Sequence, residues 1–397
     1  LRAAPGAAAK ARPVAAEDTE RMNRSIVELV PPRIRQIEPY QPGLPVEEVE
    51  RRLNLRAIKL ASNENPLGPS PKAVEAARAA LAEANRYPDG GGYYLRQELA
   101  ARLGVSMDNV ILGAGSTDLI DIVARTLLSP ADAAVTSAGS FPMYSIAVRS
   151  IGAQLITRPL RDYTFDLPAL LEAVTASTKL VFLANPNNPT GTLFTAAALE
   201  HFLQELEKLS PAVVVLDEAY FEYVQVPDYS RSLELVRSGA NLLVLRTFSK
   251  VHGLAGLRIG YGIGPAPLLA EMNKVRSPFN TSNVAQAAAR AALNDAEHLR
   301  RSVEINRQGL QQLEEGFRQL GLRPVPSLAN FVLVELGRAA APVADALLRE
   351  GVIVRPMGWM GFPQAIRVSV GTAEENRKML AALDRVLSRD GETGRNA

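Results

Sequence analysis

The chain has 397 residues, 47% of them hydrophobic, and no cysteine: it carries enough apolar side chain for a large core, and disulfides, thiolate catalysis and Cys-based metal sites are excluded. Forty-four Lys and Arg against 42 Asp and Glu leave a formal charge of +2, too weak a field to gather nucleic acid or to hold the protein on an anionic membrane. His201, His252 and His298 lack metal-type spacing, and the longest apolar runs fall far short of the roughly 20 residues that span a bilayer, so a soluble, cytoplasmic protein with small-molecule partners and no bound metal is expected.

Residues 1–16 are Ala-rich with Arg2, Lys10 and Arg12 but no continuous apolar stretch, so 1–21 read as a tail, and Met22 is a candidate start. An arm and a small-domain segment are expected over 22–70. Pro69-Ser70-Pro71 predicts a Ser-capped helix over Lys72–Ala84, followed by an exposed turn at Tyr87-Pro88-Asp89-Gly90-Gly91-Gly92. Between residues 105 and 264, aliphatic runs alternate with helical patterns, the signature of a mostly parallel sheet covered by helices. The expected strands are Asn109–Leu112, Ala133–Thr136, Gln154–Thr157, Lys179–Ala184, Ala212–Asp217, Leu242–Thr247 and Arg258–Gly262, which suit one seven-stranded sheet in a large domain over 71–282. Helix-forming sequence from Asn283 to Leu320 then leads into Phe331–Glu335, Ala341–Glu350, Val352–Arg355, Ala365–Val370 and Ala373–Leu387, a smaller α/β domain over 283–390. Residues 391–397 read as a second tail. The fold class is therefore α/β. The histidines are expected at the surface or in support of a site.

Four segments carry chemistry. Gly113-Ala114-Gly115-Ser116-Thr117-Asp118 joins a strand to an amphipathic helix, a junction that aims backbone N–H groups and the positive helix end at an anion such as a phosphate. A strand-to-helix turn also needs glycine for conformational reasons alone, and both readings stand at this point. No Gly-Lys-Ser/Thr follows, and Gly-x-Gly-x-x-Gly is not completed, which disfavours an NTPase or a dinucleotide site. Asn185-Pro186-Asn187-Asn188-Pro189-Thr190-Gly191 forms an irregular loop at a strand's C-terminal end, the edge where open α/β sheets bind ligands. Asp217 ends the apolar run Val213–Leu216, where a buried carboxylate is costly unless a cation meets it; a ring nitrogen of a cofactor would do so, with Tyr220 nearby, although Asp217 could also merely cap a helix. Lys250, after Thr247-Phe248-Ser249, lies at the same rim with Arg258 eight residues on. Alone it would be read as a solvated surface charge. A phosphate cradle, a counter-ion for a pyridinium and a lysine able to form a Schiff base together match pyridoxal 5′-phosphate.

From about Pro39 to Leu387 the chain resembles the fold-type I aminotransferases of class I and II, and within them the branch that acts on histidinol phosphate. The resemblance rests on Glu38–Gly43, Lys59-Leu60-Ala61-Ser62-Asn63-Glu64-Asn65-Pro66-Leu67-Gly68, Arg86–Asp89, Asn185–Gly191, Asp217–Tyr220, Ser249-Lys250, Gly253–Arg258 and Ile366–Thr372. It implies that Lys250 is the Schiff-base lysine and general base, that Asp217 keeps the pyridine nitrogen protonated, and that Asn188 and Tyr220 hydrogen-bond the ring's 3-oxygen. Phe141 is implied to stack on the ring, and Gly115, Ser116, Thr117, Ser249 and Arg258 to hold the phosphate. Tyr87 is implied to reach the phosphate of a neighbouring subunit in a homodimer. Tyr40, Asn63, Asn188, Arg355 and Arg367 are implied to bind substrate. For Arg355, a surface arginine at a strand end is the alternative.

The activity so implied is ping-pong transfer of an amino group from L-histidinol phosphate to 2-oxoglutarate, giving imidazole acetol phosphate and L-glutamate, in histidine biosynthesis. His252 two positions after the lysine, Gly90-Gly91-Gly92 and Ser140 depart from the family pattern without removing a catalytic group, and they leave room for an aromatic-amino-acid aminotransferase. A threonine-phosphate-type decarboxylase shares the scaffold. A cofactor-sensing regulator would need a DNA-binding module that the sequence does not supply.

Overall fold

The computed structural model describes residues 26–41, 43 and 45–393; the expected tail over 1–21, Met22 and residues 394–397 lie outside the described residues. The chain divides into two units between Pro39 and Tyr40. The first contains short helical turns at 26–29 and Pro32–Arg35. The second carries the rest of the fold.

Its first strand, β1 (Ile58–Lys59), is a two-residue edge. The next seven, β2 (Val110–Gly113), β3 (Ala133–Ser137), β4 (Gln154–Arg158), β5 (Thr178–Ala184), β6 (Val213–Asp217), β7 (Leu242–Thr247) and β8 (Gly260–Ile263), build one sheet in the order β2-β8-β7-β6-β5-β3-β4. All neighbours are parallel except β8, which runs against both β2 and β7. Helices cover both faces, so the central strands are apolar throughout: Phe182, Leu216 and Val244 are fully buried. Burying each such side chain contributes about 1.5–3 kcal/mol. Register sets Ala184 beside Asp217 and Asp217 beside Leu245, so the loops that follow β5, β6 and β7 emerge side by side. The strand β8 starts at Gly260 rather than Arg258, because Arg258 takes a left-handed φ of 53° at the end of the turn Ala255–Leu257.

The helix expected over Lys72–Ala84 spans Pro71–Ala80 and tightens into a 3-10 turn at Leu81–Glu83. Ser70 caps it by accepting from the Ala73 N–H and donates to Asp295 Oδ2 at 2.6 Å. Asp295 in turn caps a second helix, and it divides the stretch read as almost continuous into Asn283–Leu293 and Ala296–Gln319.

A second sheet, β12-β13-β10-β9, is antiparallel and is formed by β9 (Arg323–Val325), β10 (Phe331–Glu335), β12 (Arg355–Met357) and β13 (Phe362–Ser369). The expected strand Val352–Arg355 is two strands. Its first part, β11 (Val352–Ile353), pairs in parallel with β1, and the chain then passes through Val354 into β12. The last helix, Ala373–Thr393, runs beyond Leu387.

The loop after β7 is pressed against residues 65–70: Asn65 Nδ2 donates to the Val251 carbonyl at 2.7 Å, and a Cβ on Gly253, at φ 70°, would stand 2.2 Å from the Gly68 carbonyl oxygen. Neither the positive φ nor the contact tolerates a side chain. Gly253→Ala is therefore expected to destabilise the protein by more than about 1 kcal/mol, read as a lower denaturant midpoint at unchanged slope.

Candidate active site

The site begins with two consecutive carboxylates that the fold treats differently. Glu218 is fully buried against Arg246, whose Nε and Nη2 donate to Oε2 at 2.9 and 2.8 Å, and the guanidinium lies 3.5 Å from the centre of the Phe221 ring. Asp217, the last residue of β6 and 6% exposed, has only neutral donors as hydrogen-bond partners among the described residues: the Tyr144 hydroxyl at 2.9 Å and the Ala219 N–H at 3.1 Å. Burial pushes its carboxyl up to about 6, although both donors and the Lys250 charge favour the ionised form. A cation brought to this carboxylate would relieve that cost.

Tyr144 is fixed by stacking on Phe182, with ring centres 5.0 Å apart, and meets Phe141 edge-on at 5.8 Å. Its contact with Asp217 is absent from the sequence reading.

Lys250 follows β7, half-buried, with Nζ 5.7 Å from the centre of the Tyr220 ring. Burial first and the Arg367 charge second bring its amine down to about 8; Arg258 acts the same way, against Glu64 and Asp217. The amine is thus substantially neutral near pH 8, as a nucleophile or base must be. The Tyr220 hydroxyl accepts from Asn63 Nδ2 at 2.9 Å, and burial pushes its phenol up to about 12.

On another side the helix Ser116–Leu127 starts at Ser116 behind Gly115, whose φ is 82°; a Cβ on Gly115 would meet Arg258 Nη2 at 2.3 Å. Arg258 Nη1 reaches Ser249 Oγ at 3.2 Å, and Nη2 reaches the Ala114 carbonyl at 3.2 Å. A helix N-terminus, a hydroxyl and a guanidinium therefore face one point, an arrangement suited to a phosphate.

The loop Asn185–Gly191 carries cis bonds before Pro186 and Pro189 and is pinned by Asn185, which both donates to and accepts from the Phe194 backbone at 3.0 Å. It aims Asn188 Oδ1 at Arg367 Nη1, 2.6 Å away. Arg367 Nη2 donates to the Ala61 carbonyl at 2.9 Å, while its Nε is buried without a partner among the described residues.

A cavity of about 200 Å³ is lined by Tyr40, Asn63, Ser116, Thr117, Phe141, Asn188, Asp217, Tyr220, Ser249, Lys250, Arg258 and Arg367, and by Tyr144, Thr247 and Ser62, which the sequence reading omitted. Three expected residues are not in this lining. Gly115 lies behind it, against Arg258. Tyr87 is 83% exposed and stacks on Phe279 at 4.7 Å. Arg355 lies opposite Arg367 in register, donates to the Gln41 carbonyl and is bracketed by Tyr40 and Trp359 at 5.9 and 5.1 Å. Arg355 is buried, which removes its reading as a surface arginine. His252 and His298 are buried as well, and burial holds His252 down at about 4. No cluster of metal-ligating side chains is present among the described residues.

Because a neighbouring positive charge lowers an amine's proton affinity, Arg367→Gln is expected to move the pH midpoint for acylation of the Lys250 amine upward from about 8. Mass spectrometry of the Lys250 peptide across a pH series reads this directly.

The class I and II aminotransferase family matches residues 56–383. Histidinol-phosphate aminotransferase 2 of Pseudomonas fluorescens (strain Pf0-1) is 49% identical over 371 residues, covering 93% of this chain and 100% of its own, and the enzyme of the same name from Methylococcus capsulatus is 48% identical, covering 91% and 99%. The crystal structure of histidinol-phosphate aminotransferase from Sinorhizobium meliloti, solved in complex with pyridoxal 5′-phosphate, superposes with a TM-score of 0.84 at 32% identity, covering 92% of this chain and 99% of that one. With a family match across most of both sheets, and the loops after β5, β6 and β7 opening into one cavity, the chain belongs to the class I and II aminotransferases.

Proposed function

We propose that the protein transfers the amino group of L-histidinol phosphate to 2-oxoglutarate by a ping-pong mechanism with pyridoxal 5′-phosphate, the step in histidine biosynthesis that yields imidazole acetol phosphate and L-glutamate. The observation that carries this reading is the convergence of Asp217, Lys250 and the Ser116–Arg258 anion cradle on one cavity. The residues fit the cofactor: a glycine at φ 82° admits the Arg258 guanidinium, and the buried Asp217 carboxylate, held by neutral donors, suits a protonated ring nitrogen. The substrate follows the names of the relatives.

When bound, the cofactor supplies an electrophilic carbonyl carbon and a protonated ring that accepts the electron pair left as substrate Cα loses its proton. Asp217 would hold that proton on the ring nitrogen. Lys250 would hold the cofactor and then carry the proton between substrate Cα and the cofactor carbon. Asn188 and Tyr220 would donate to the 3-oxygen, Phe141 would cover one ring face, and the N–H groups of Gly115, Ser116 and Thr117 would bind the phosphate with Ser249 and Arg258. Arg367 and Arg355 would take the substrate's phosphate, with Tyr40 closing the other side. On this reading residues 71–282 hold the cofactor and 283–390 supply the arginines. A homodimer is part of the proposal: exposed Tyr87 would reach the partner subunit's site.

A second reading, an aromatic-amino-acid aminotransferase, is favoured by one observation: Arg355 is engaged by Gln41 outside the cavity lining, leaving Arg367 as the fork for a carboxylate. Single-turnover absorbance of the cofactor-loaded protein separates the two. Faster conversion by L-histidinol phosphate than by L-phenylalanine is expected, and the reverse order assigns the aromatic activity. Lys250→Ala should lower turnover by about a thousandfold or more while far-ultraviolet circular dichroism stays unchanged. Asp217→Ala should still bind cofactor yet lose about two orders of magnitude in turnover.

A further inference from the structure

Asn63 was expected to touch substrate, and its surroundings point elsewhere. It adopts a left-handed φ of 55°, and each of its polar groups is engaged. Its backbone N–H donates to Ser369 Oγ at 2.8 Å, its carbonyl accepts from Asn330 Nδ2 at 3.0 Å, its Oδ1 lies 3.0 Å from Ser369 Oγ, and its Nδ2 lies 2.9 Å from the Tyr220 hydroxyl.

Hydrogen bookkeeping fixes the direction of these bonds. Ser369 Oγ already accepts the Asn63 N–H, and the acceptor at hand for its own hydrogen is Asn63 Oδ1. Turning the amide over would set its NH2 against that hydroxyl and strand the hydroxyl hydrogen in a buried position. The amide therefore presents Nδ2 to Tyr220, and a phenol oxygen that receives this N–H cannot direct its own hydrogen back along the same line. Asn63 and Tyr220 both line the cavity.

We infer that Asn63 is a positioning residue for the reaction: locked by Ser369 and Asn330, it donates to the Tyr220 oxygen and so makes Tyr220 an obligate hydrogen-bond donor toward whatever oxygen occupies the cavity. The inference rests on the proposed cofactor reading, in which that oxygen is the 3-oxygen of pyridoxal phosphate. A donor there draws charge from the oxygen and lowers the proton affinity of the adjacent nitrogen shared with Lys250. The charged Arg367, Asp217 and Lys250 and the titratable Tyr40, Tyr144 and Tyr223, which also act on Tyr220, are untouched by the changes used to test it.

The test is the pH titration of the bound cofactor's absorbance in the loaded protein, a property that a purely structural role for Asn63 would not tie to the Tyr220 hydroxyl. Tyr220→Phe is expected to raise the midpoint by about one pH unit. Asn63→Gly, which keeps the left-handed backbone and deletes the amide, is expected to raise it by a smaller step that disappears in the Tyr220→Phe background. Asn63→Asp, which turns the donor into an acceptor, should raise it more in the presence of the hydroxyl than in its absence, the remainder being the new carboxylate's charge. An unmoved midpoint in Asn63→Gly, or an equal shift with and without the hydroxyl, overturns the inference while leaving the aminotransferase reading intact. Absence of any bound-cofactor absorbance in the unaltered protein overturns the cofactor reading and the inference with it.

Discussion

A carboxylate at the buried end of a parallel strand is the constraint around which this site is arranged. Asp217 cannot retreat to solvent, because β5 and β7 flank it in register and the Tyr144 ring, stacked on Phe182, closes the space beyond. The fold had another way to keep a buried acid, and uses it one residue later: Glu218 is clamped by Arg246, with Phe221 over the guanidinium. That pair is electrostatically complete, whereas Asp217 is held by two neutral donors and keeps its charge only against the cost of burial. The difference between neighbours separates a structural ion pair from a group prepared for a cationic ligand.

Much of this was legible because it depends on local pattern. Apolar runs bounded by turn formers located all seven strands of the main sheet, and since parallel strands deliver their C-terminal ends to one edge, the residues Asn188, Asp217 and Lys250 could be assigned to a common rim without coordinates. What failed to show were interactions whose partners are far apart in sequence. The strand β1 is too short to carry a period, and it exists because β11 offers its edge. The break at Asn294–Asp295 is written by a cap residue inside an otherwise uniform helical stretch, where Asp295 also receives the Ser70 hydroxyl from more than two hundred positions away. Tyr144 gave no sign of its role because an aromatic on an apolar helix face is ordinarily core; only the end of β6 turns its hydroxyl to use. Arg355 had the right composition for a ligand-binding group, but its guanidinium is drawn to Gln41, Tyr40 and Trp359, a bracket no spacing rule contains.

The antiparallel sheet does more than complete the fold, because two residues of its strand β13 bear on the cavity, Arg367 directly and Ser369 through Asn63. Arg367 joins the Ala61 carbonyl to Asn188, and Ser369, two residues on and therefore on the same face of the strand, holds Asn63 beneath Tyr220. Arg367 meets Asn188 directly, whereas Ser369 reaches Tyr220 through Asn63, so β13 bears on the groups of the main sheet by one direct contact and one relayed through the segment Ala61–Asn63. Asn188 and Tyr220 are thereby oriented from outside the sheet that carries them. A displacement of β13 relative to β6 would move Arg367 and Asn63 together, altering the anion fork and the donor set of Tyr220 in a single motion. The precision of the site thus comes from two sheets triangulating on the same few side chains, with Arg367 and Ser369 as the fixed points on one and Asn188 and Tyr220 as the adjusted points on the other.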